Sequence, residues 1–285
     1  MIVAAIAGLA VVATAGARAV RQRADGASIL LVIEDGVPGP PRADSIVLAT
    51  WHRRCDTLAL TFIPRDLVVT PGGEQLAILI ETVGARGMAE AIAELVDSRI
   101  VATLTTDLSG VEQISAAIGP ITVDLPSESA DPRTGFHAGP GSVELVGADA
   151  VAYLRSRTWE ERRGNRWVEI GNSDLDRIEH AADFAERAIR QMQSSGGAAT
   201  LRVLRAALDH GHVDAIDPLA VLGLAWDATT PSHVTFDLFP TIAERTADQQ
   251  RSPFAPLERG AVARLLPEGA SSVHLERCPE GQGPT

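Results

Sequence analysis

The chain has 285 residues, of which 45% are hydrophobic, and a formal net charge of -12 at neutral pH. This hydrophobic content is sufficient for one sizeable core. The negative charge argues against a nucleic-acid-binding protein, because affinity for a phosphate backbone requires a basic face. The 25 Lys and Arg positions are all Arg, so any site for an anion must be a local cluster of arginines on an acidic protein.

The N-terminus is apolar. Residues 2–17 form an Ala-rich run without charge, followed by Arg18, Arg21 and Arg23. The run is short for a membrane span and is typical of a signal-peptide core or a trimmed anchor, which we assign to residues 1–24. By the positive-inside rule, arginines on its C-terminal side conflict with an exported domain, so a buried cytoplasmic helix is the alternative.

The first part of the remaining chain predicts a sheet and a broken helix. An apolar strand is expected over residues 28–33, and two further strands over 45–50 and 57–63 form a hairpin at an antiparallel edge of the sheet. Residues 74–96 have a helical pattern that is interrupted at Gly84–Gly87.

Strands and helices then alternate. We predict strands over 100–107 and 121–126, helices over 108–118, 147–157 and 174–193, and loops over 127–142 and 158–172. Beyond an internal boundary at residues 194–197, two helical segments, a strand within 233–239 and a final strand within 271–276 are expected. The pattern predicts an α/β fold with a central mixed β-sheet flanked by helices, in a single main domain over residues 25–285.

The residues that suggest chemistry are acids and arginines at the ends of these elements. Arginine forks suit phosphate oxygens because they donate two parallel charge-assisted hydrogen bonds. Carboxylates beside such a site are the oxygen ligands that Mg²⁺ prefers. The candidates for a pyrophosphate site with one Mg²⁺ are Asp35, Arg42, Asp44, Arg65, Asp66, Arg155, Arg157, Asp174 and Arg177.

Each of these motifs alone has an ordinary structural explanation, such as a surface ion pair, a helix cap or a basic helix end. Their order is more informative. The segments are RADSIVL, LTFIPRDLVV, TTDLSGVEQISAAIGPITVDLP, DPRTGFHAGPGSVELVGADAVAYLRSR and DLDRIEHAADFAERAI. In this order they resemble the LytR-CpsA-Psr family over about residues 28–193, and residues 198–285 fit its less distinctive C-terminal part. The arginine-only composition is typical of a GC-rich genome such as an actinobacterial one.

The resemblance implies a membrane-anchored enzyme on the extracytoplasmic face. It would transfer a glycopolymer, such as teichoic acid, capsule or arabinogalactan, from a polyprenyl-pyrophosphate carrier to peptidoglycan, with Mg²⁺. Its partners would be this lipid-linked glycan, the peptidoglycan acceptor and the membrane, through the N-terminus. An apolar tunnel for the polyprenyl chain would be lined by helices around Met88–Val96 and Val111–Ile118.

The resemblance also implies a role for each matching residue. Asp35 and Asp44 would be the metal-side carboxylates, and Asp174 would orient the arginines. Position alone, rather than the resemblance, makes Asp66 a candidate general base, with ion pairing to Arg65 as the alternative. The expected catalytic group is Arg42, Asp44, Arg65 and Asp66, and the pyrophosphate would be held by Arg42, Arg65, Arg155, Arg157 and Arg177.

The sequence departs from the family pattern at two places. His180, Ala181 and Ala182 stand where the family has Arg-Gln-Gln, and Gln75–Ala77 replaces Lys-Ile-Asn. A degenerate member that binds polyprenyl phosphates without transfer is therefore one alternative, and a lipid pyrophosphatase that uses water as the acceptor is another.

Other chemistries are poorly supported. The seven histidines are scattered, and the sequence lacks both a nucleophile elbow and a Gly-rich phosphate loop. His210 and His212 form only a weak metal-ligand pair. Cys55 and Cys278 match no metal spacing, and they are either a disulfide or two buried thiols.

Overall fold

The computed structural model describes residues 26–36, 38–67, 75–96, 98–172, 174–195, 197–217, 233–239, 241–243 and 254–256. The apolar segment 1–24, the expected strand within 271–276 and Cys278 lie outside these residues. Cys55 is disulfide-bonded. The described residues form five helices and fourteen strands, and they divide into two compact units within one α/β domain.

The first unit comprises the described residues within 26–32, 38–105 and 213–256. It holds most residues of a central six-stranded sheet. The strands of this sheet are β1 (Ala27–Glu34), β2 (Ala43–His52), β3 (Thr57–Ile63), β4 (Arg99–Thr106), β11 (Gly211–Ala215) and β12 (His233–Leu238). Their order in the sheet is β11-β4-β1-β2-β3-β12. The sheet is mixed, because β2 and β3 pair antiparallel whereas β12 and β3 pair parallel.

The predicted hairpin is present but its predicted position in the sheet is wrong. A 3₁₀ turn (Arg53–Cys55) joins β2 to β3, and Asp56 at its end has a left-handed backbone with φ 49°. The hairpin is not an edge, because the late strand β12 pairs along the outer side of β3. Strand propensity alone could not reveal a pairing partner so distant in sequence.

Helix α1 (Leu76–Val96) covers the central sheet. Its apolar side chains Met88 and Ile92 are fully buried in a cluster with Leu30 and Leu48 of the sheet. The predicted interruption is at Gly84, whose φ of 71° and ψ of 178° are not helical. A conformation with positive φ favours glycine, which explains this residue at the break.

The second unit comprises Ile33–Gly36 and Thr106–His212. It contains the helices α2 (Leu108–Ile118), α3 (Ala148–Arg155), α4 (Asp174–Ser195) and α5 (Gly197–Asp209). Its strands are β5 (Ile121–Leu125), β6 (Ser129–Asp131), β7 (Phe136–Ala138), β8 (Gly141–Leu145), β9 (Thr158–Arg163) and β10 (Arg166–Asn172). They form a four-stranded sheet, β10-β9-β6-β7, and the pair β5-β8. The remaining pair, β13 (Thr241–Ala243) with β14 (Phe254–Pro256), belongs to the first unit.

Two segments that were expected to be loops are strands. Residues 127–142 contain β6, β7 and the start of β8, and residues 158–172 form the β9–β10 hairpin. The hairpin turns at Gly164, with φ 64°, and Asn165. A two-residue Gly-Asn turn is a hairpin signal that the high charge of the segment obscured.

The C-terminal prediction is tested only in part. Helix α5 follows the boundary at residues 194–197, the next described segment is strand β11, and residues 218–232 lie outside the described part of the structure. Helices α4 and α5, on either side of that boundary, belong to the same unit. The strand expected within 233–239 is confirmed as β12. The fold-class prediction, an α/β architecture with a central mixed sheet flanked by helices, is confirmed.

Candidate active site

An ion pair links the start of β2 to the exit of β3. The Arg65 Nη1 atom lies 2.7 Å from Oδ1 of Asp44, and the two side chains are 21% and 12% exposed. The hairpin register explains this contact. Ile46 pairs with Ile63 in the antiparallel hairpin, so Asp44, two residues before Ile46, stands opposite Arg65, two residues after Ile63. The structure therefore joins two motifs that are 21 residues apart.

Asp66 lies beside the same guanidinium. Its Oδ1 atom is 3.9 Å from Nε of Arg65, and its side chain is 35% exposed. Asp44, Arg65 and Asp66 thus form one cluster in which two carboxylates share one cation. Arg42, the residue before β2, is exposed.

The second unit holds the other predicted residues. Arg155 is the last residue of α3 and is exposed, while Arg157 is half-buried between α3 and β9. Arg177, in the first turn of α4, is only 4% exposed. A guanidinium rarely becomes so buried unless it is paired. Asp174 begins α4, and its side chain is outside the described part of the structure.

Two acidic neighbours affect the pKa of Glu34, the last residue of β1. Burial raises the pKa of the Glu34 carboxyl, and the neighbouring charges of Asp107 and then Asp35 raise it further. Asp107 is at the same time the N-cap of α2, where its Oδ1 accepts a hydrogen bond of 2.8 Å from the Gly110 amide. The Asp35 carboxylate is therefore close enough to Glu34 for its charge to act on it.

The fit of this chain to Mg²⁺ rests on carboxylate oxygens. Mg²⁺ is commonly held by one or two carboxylates together with substrate phosphates and water. Within the described ranges, no group of three or more His, Cys, Asp or Glu side chains could hold a metal ion. Asp35 and Asp44 are the right type of donor, and a phosphate substrate would have to supply further oxygens.

Sequence reasoning missed Asp131, the last residue of β6. Asp131 is fully buried, and its carboxylate accepts hydrogen bonds from the backbone amides of Arg133 and Thr134 in the following turn and from those of Arg157 and Thr158. The sequence shows Asp131 followed by a Pro and, further on, by Thr134 and Gly135, which is an ordinary turn signal. Its burial and its distant partners are not readable from that pattern.

The departure at His180 has a structural counterpart. The His180 ring lies 4.5 Å from the Trp159 ring and 5.2 Å from the Tyr153 ring, measured between centroids. These rings belong to the apolar core of the second unit, together with Phe136. The chain thus places an imidazole against aromatic rings where the family pattern has arginine.

Comparison with known proteins decides the family. The model of the LytR_cpsA_psr family matches residues 11–211, which is more than half of the chain. The chain belongs to the LytR_cpsA_psr family. No curated protein matches the sequence directly.

Solved structures of similar fold agree with this membership. The LytR-Csp2A-Psr enzyme from Actinomyces oris is 23% identical, with a TM-score of 0.67, over 85% of this chain and 90% of its own. TagV of B. subtilis is 18% identical, with a TM-score of 0.64, over 85% and 94%. TagT bound to LIIa-WTA is also 18% identical, with a TM-score of 0.63, over 85% and 89%.

Membership in the LytR_cpsA_psr family supports a transferase that acts on a cell-wall glycopolymer. Among the helices that the structure describes, none is long and apolar enough to cross a membrane.

Proposed function

We propose that this protein transfers a glycopolymer from a polyprenyl-pyrophosphate carrier to a hydroxyl of peptidoglycan, at the extracytoplasmic face of the membrane. The family match over residues 11–211 carries this proposal. TagT, which has a similar fold, is bound to LIIa-WTA in one structure and to LI-WTA in another. These two complexes support the proposal that the group transferred from the donor is a glycopolymer.

The proposed reaction is a phosphoryl transfer. The acceptor hydroxyl oxygen attacks the sugar-side phosphorus, the bond from that phosphorus to the bridging oxygen breaks, and polyprenyl phosphate leaves. The product is a phosphodiester between glycan and acceptor, and the hydroxyl proton passes to a base. Catalysis of this kind depends mainly on positioning and on stabilising the developing negative charge.

Arginines would bind the pyrophosphate, and the proposal assigns this to Arg42, Arg65, Arg155, Arg157 and Arg177. Arg65 is already oriented, because Asp44 accepts its hydrogen bond at 2.7 Å. A guanidinium has five N–H donors, so this hydrogen bond leaves others for the phosphate oxygens. Asp174, at the start of α4, would orient Arg177 within the same helical turn.

The carboxylates have two proposed roles. Asp35 and Asp44 would hold Mg²⁺, which supplies neutralisation of charge on the phosphate oxygens when it is bound. Asp66 would accept the acceptor's proton, since its side chain is partly exposed and lies 3.9 Å from Arg65 rather than in a close hydrogen bond.

The experiment is a transfer assay with a glycan-linked polyprenyl pyrophosphate, with and without Mg²⁺ and peptidoglycan. We expect a phosphodiester product that requires both, and a loss of rate of about 100-fold or more in Asp44→Asn, typical of removing one electrostatic group from a site. Asp217→Asn is the matched control, because Asp217 pairs with Arg99 at the surface of the same unit.

The other outcomes separate the alternatives. Phosphate release that needs no peptidoglycan would favour a pyrophosphatase. Tight binding without turnover would favour a non-transferring lipid binder, a reading that the aromatic packing of His180 in place of the family's arginine motivates. Ala181→Gln is then the first variant that should restore transfer.

A further inference from the structure

Asp131 is a fully buried carboxylate in the second unit, at the end of strand β6. Burying a charge is unfavourable unless hydrogen bonds replace the water that it loses. Both carboxylate oxygens of Asp131 therefore need hydrogen-bond donors, and each oxygen accepts from a different chain segment.

The Oδ1 atom stabilises the turn that follows Asp131 itself. It accepts hydrogen bonds from the backbone amides of Arg133 at 2.8 Å and Thr134 at 3.4 Å. The carbonyl of Asp131 also accepts the amide of Gly135 at 3.0 Å, which closes the turn. One oxygen thus acts locally, as aspartates at turns commonly do.

The Oδ2 atom acts on a distant segment. It accepts hydrogen bonds from the backbone amides of Arg157 at 2.8 Å and Thr158 at 3.0 Å. These residues follow the end of α3, where the backbone at Ser156 is extended with φ −62° and ψ 124°. A single carboxylate therefore fixes the point at which the chain leaves the helix and enters β9.

Two hydroxyl groups reinforce the same junction. Thr134 Oγ1 and Ser156 Oγ are 3.2 Å apart, and the Ser156 hydroxyl donates to the Ala152 carbonyl at 3.0 Å. Ser156 is fully buried. The turn after Asp131 is thereby connected to the helix end beside Arg157 at two independent places.

We propose that Asp131 is a positioning residue for Arg157, which it holds through the Arg157 backbone amide. The proposal rests on the proposed function in that it takes the Arg157 guanidinium to bind the pyrophosphate. A fixed backbone restricts the directions in which this side chain can reach, so less conformational entropy is lost when it binds. A mutation away from the reacting atoms that shifts such a group by about 1 Å can reduce activity by about 100-fold.

The test is a double-mutant cycle on the affinity of the full chain for geranylgeranyl pyrophosphate, measured by titration calorimetry. The variants are Asp131→Asn, Arg157→Ala and the pair combined. We expect Asp131→Asn to weaken binding about tenfold to 100-fold, and to have no further effect when Arg157 is already Ala. Such non-additivity is the signature of one residue acting through the other.

Asp183→Asn is the matched control, because it also neutralises a carboxylate of the second unit that accepts hydrogen bonds, in this case from the Arg187 side chain. Its affinity for geranylgeranyl pyrophosphate should equal that of the wild type. An Asp131→Asn variant that binds like the wild type, or that weakens binding equally with and without Arg157, would overturn the proposal. If Asp131→Asn does not fold, Thr134→Val replaces it in the same cycle, with a smaller expected loss of affinity and the same criteria.

Failure of the proposed function gives a different result. If the wild type does not bind geranylgeranyl pyrophosphate, the assigned function is wrong, and NMR relaxation of the Arg157 side-chain Nε–H group then decides on Asp131. Greater mobility of Arg157 in Asp131→Asn than in Asp183→Asn supports positioning. Equal order of the Arg157 side chain in the two variants refutes it.

Discussion

Replacing Arg65 with Ala should destabilise the protein more than the loss of an ordinary surface arginine. The substitution removes the guanidinium that lies 2.7 Å from the Asp44 carboxylate, whose side chain is 12% exposed. Removing one member of a buried ion pair costs about 3–5 kcal/mol, and a hydrogen bond to a charged group contributes about 1.5–3 kcal/mol. Because the Arg65 side chain is 21% exposed, we expect a loss of about 2–3 kcal/mol.

Urea unfolding measures this loss, and the chain offers a matched control. The Arg99–Asp217 pair lies in the same unit, but its atoms are 3.5 Å apart and its side chains are 50% and 26% exposed. Exposed pairs of this kind contribute about 0–1 kcal/mol. Arg99→Ala should therefore have a much smaller effect than Arg65→Ala.

A double variant, Arg65→Ala with Asp44→Asn, sharpens the test. Neutralising Asp44 removes the buried charge that Arg65 stabilises, so the double variant should be more stable than the sum of the single effects implies. Equal destabilisation by Arg65→Ala and Arg99→Ala, or additive effects in the double variant, would refute the argument that this pair is desolvated.

Two further predictions concern the second unit. Burial raises the pKa of Tyr153 to about 12, with a smaller contribution from Asp183, and the unfolded chain titrates near pH 10. The unfolded state then loses its proton first, so the free energy of unfolding is unaffected below about pH 10 and falls by about 3 kcal/mol as pH rises to about 12. In urea unfolding at a series of alkaline pH values, Tyr153→Phe should lack this fall. The same dependence of the free energy of unfolding on pH in Tyr153→Phe and the wild type would contradict the burial argument. Gly110→Ala should cost about 1–3 kcal/mol, because its Cβ would lie 2.0 Å from Thr106 Oγ1 and 2.6 Å from a backbone oxygen. A Cβ added at Gly139 would have no atom within 4 Å, so Gly139→Ala should hardly change the melting temperature. Thermal unfolding measures both variants, and similar shifts of the melting temperature would show that the close packing at Gly110 is unimportant.

Long elements with a clear apolar period could be predicted from the sequence. The alternating burial of β2 and the helical pattern of α1, with its interruption at Gly84, are both local properties. The short strands β6 and β7, of three residues each, were missed because they are too brief to show a period. The β9–β10 hairpin was missed because charged residues occupy both of its strands.

Some features of the candidate site could be predicted from the sequence, and others could not. The proximity of Asp44 to Arg65 follows from the hairpin register, so a sequence-based pairing of Ile46 with Ile63 would have predicted it. The importance of Asp131 could not be predicted, because its partners Arg157 and Thr158 lie 26 and 27 residues away. Contacts of that kind are created by tertiary packing and leave no local pattern.

The order of strands in the central sheet bears on how this chain can be shortened. The two outermost strands, β11 and β12, begin at residues 211 and 233, whereas the family match ends at residue 211. A fragment trimmed to the family match would leave β3 and β4 with unpaired amides and carbonyls along both sides of the sheet. Open edges of this kind recruit strands from other chains and promote aggregation. A fragment that contains all six described strands of this sheet therefore extends through Leu238, and expression boundaries are better chosen from strand order than from the extent of the family match.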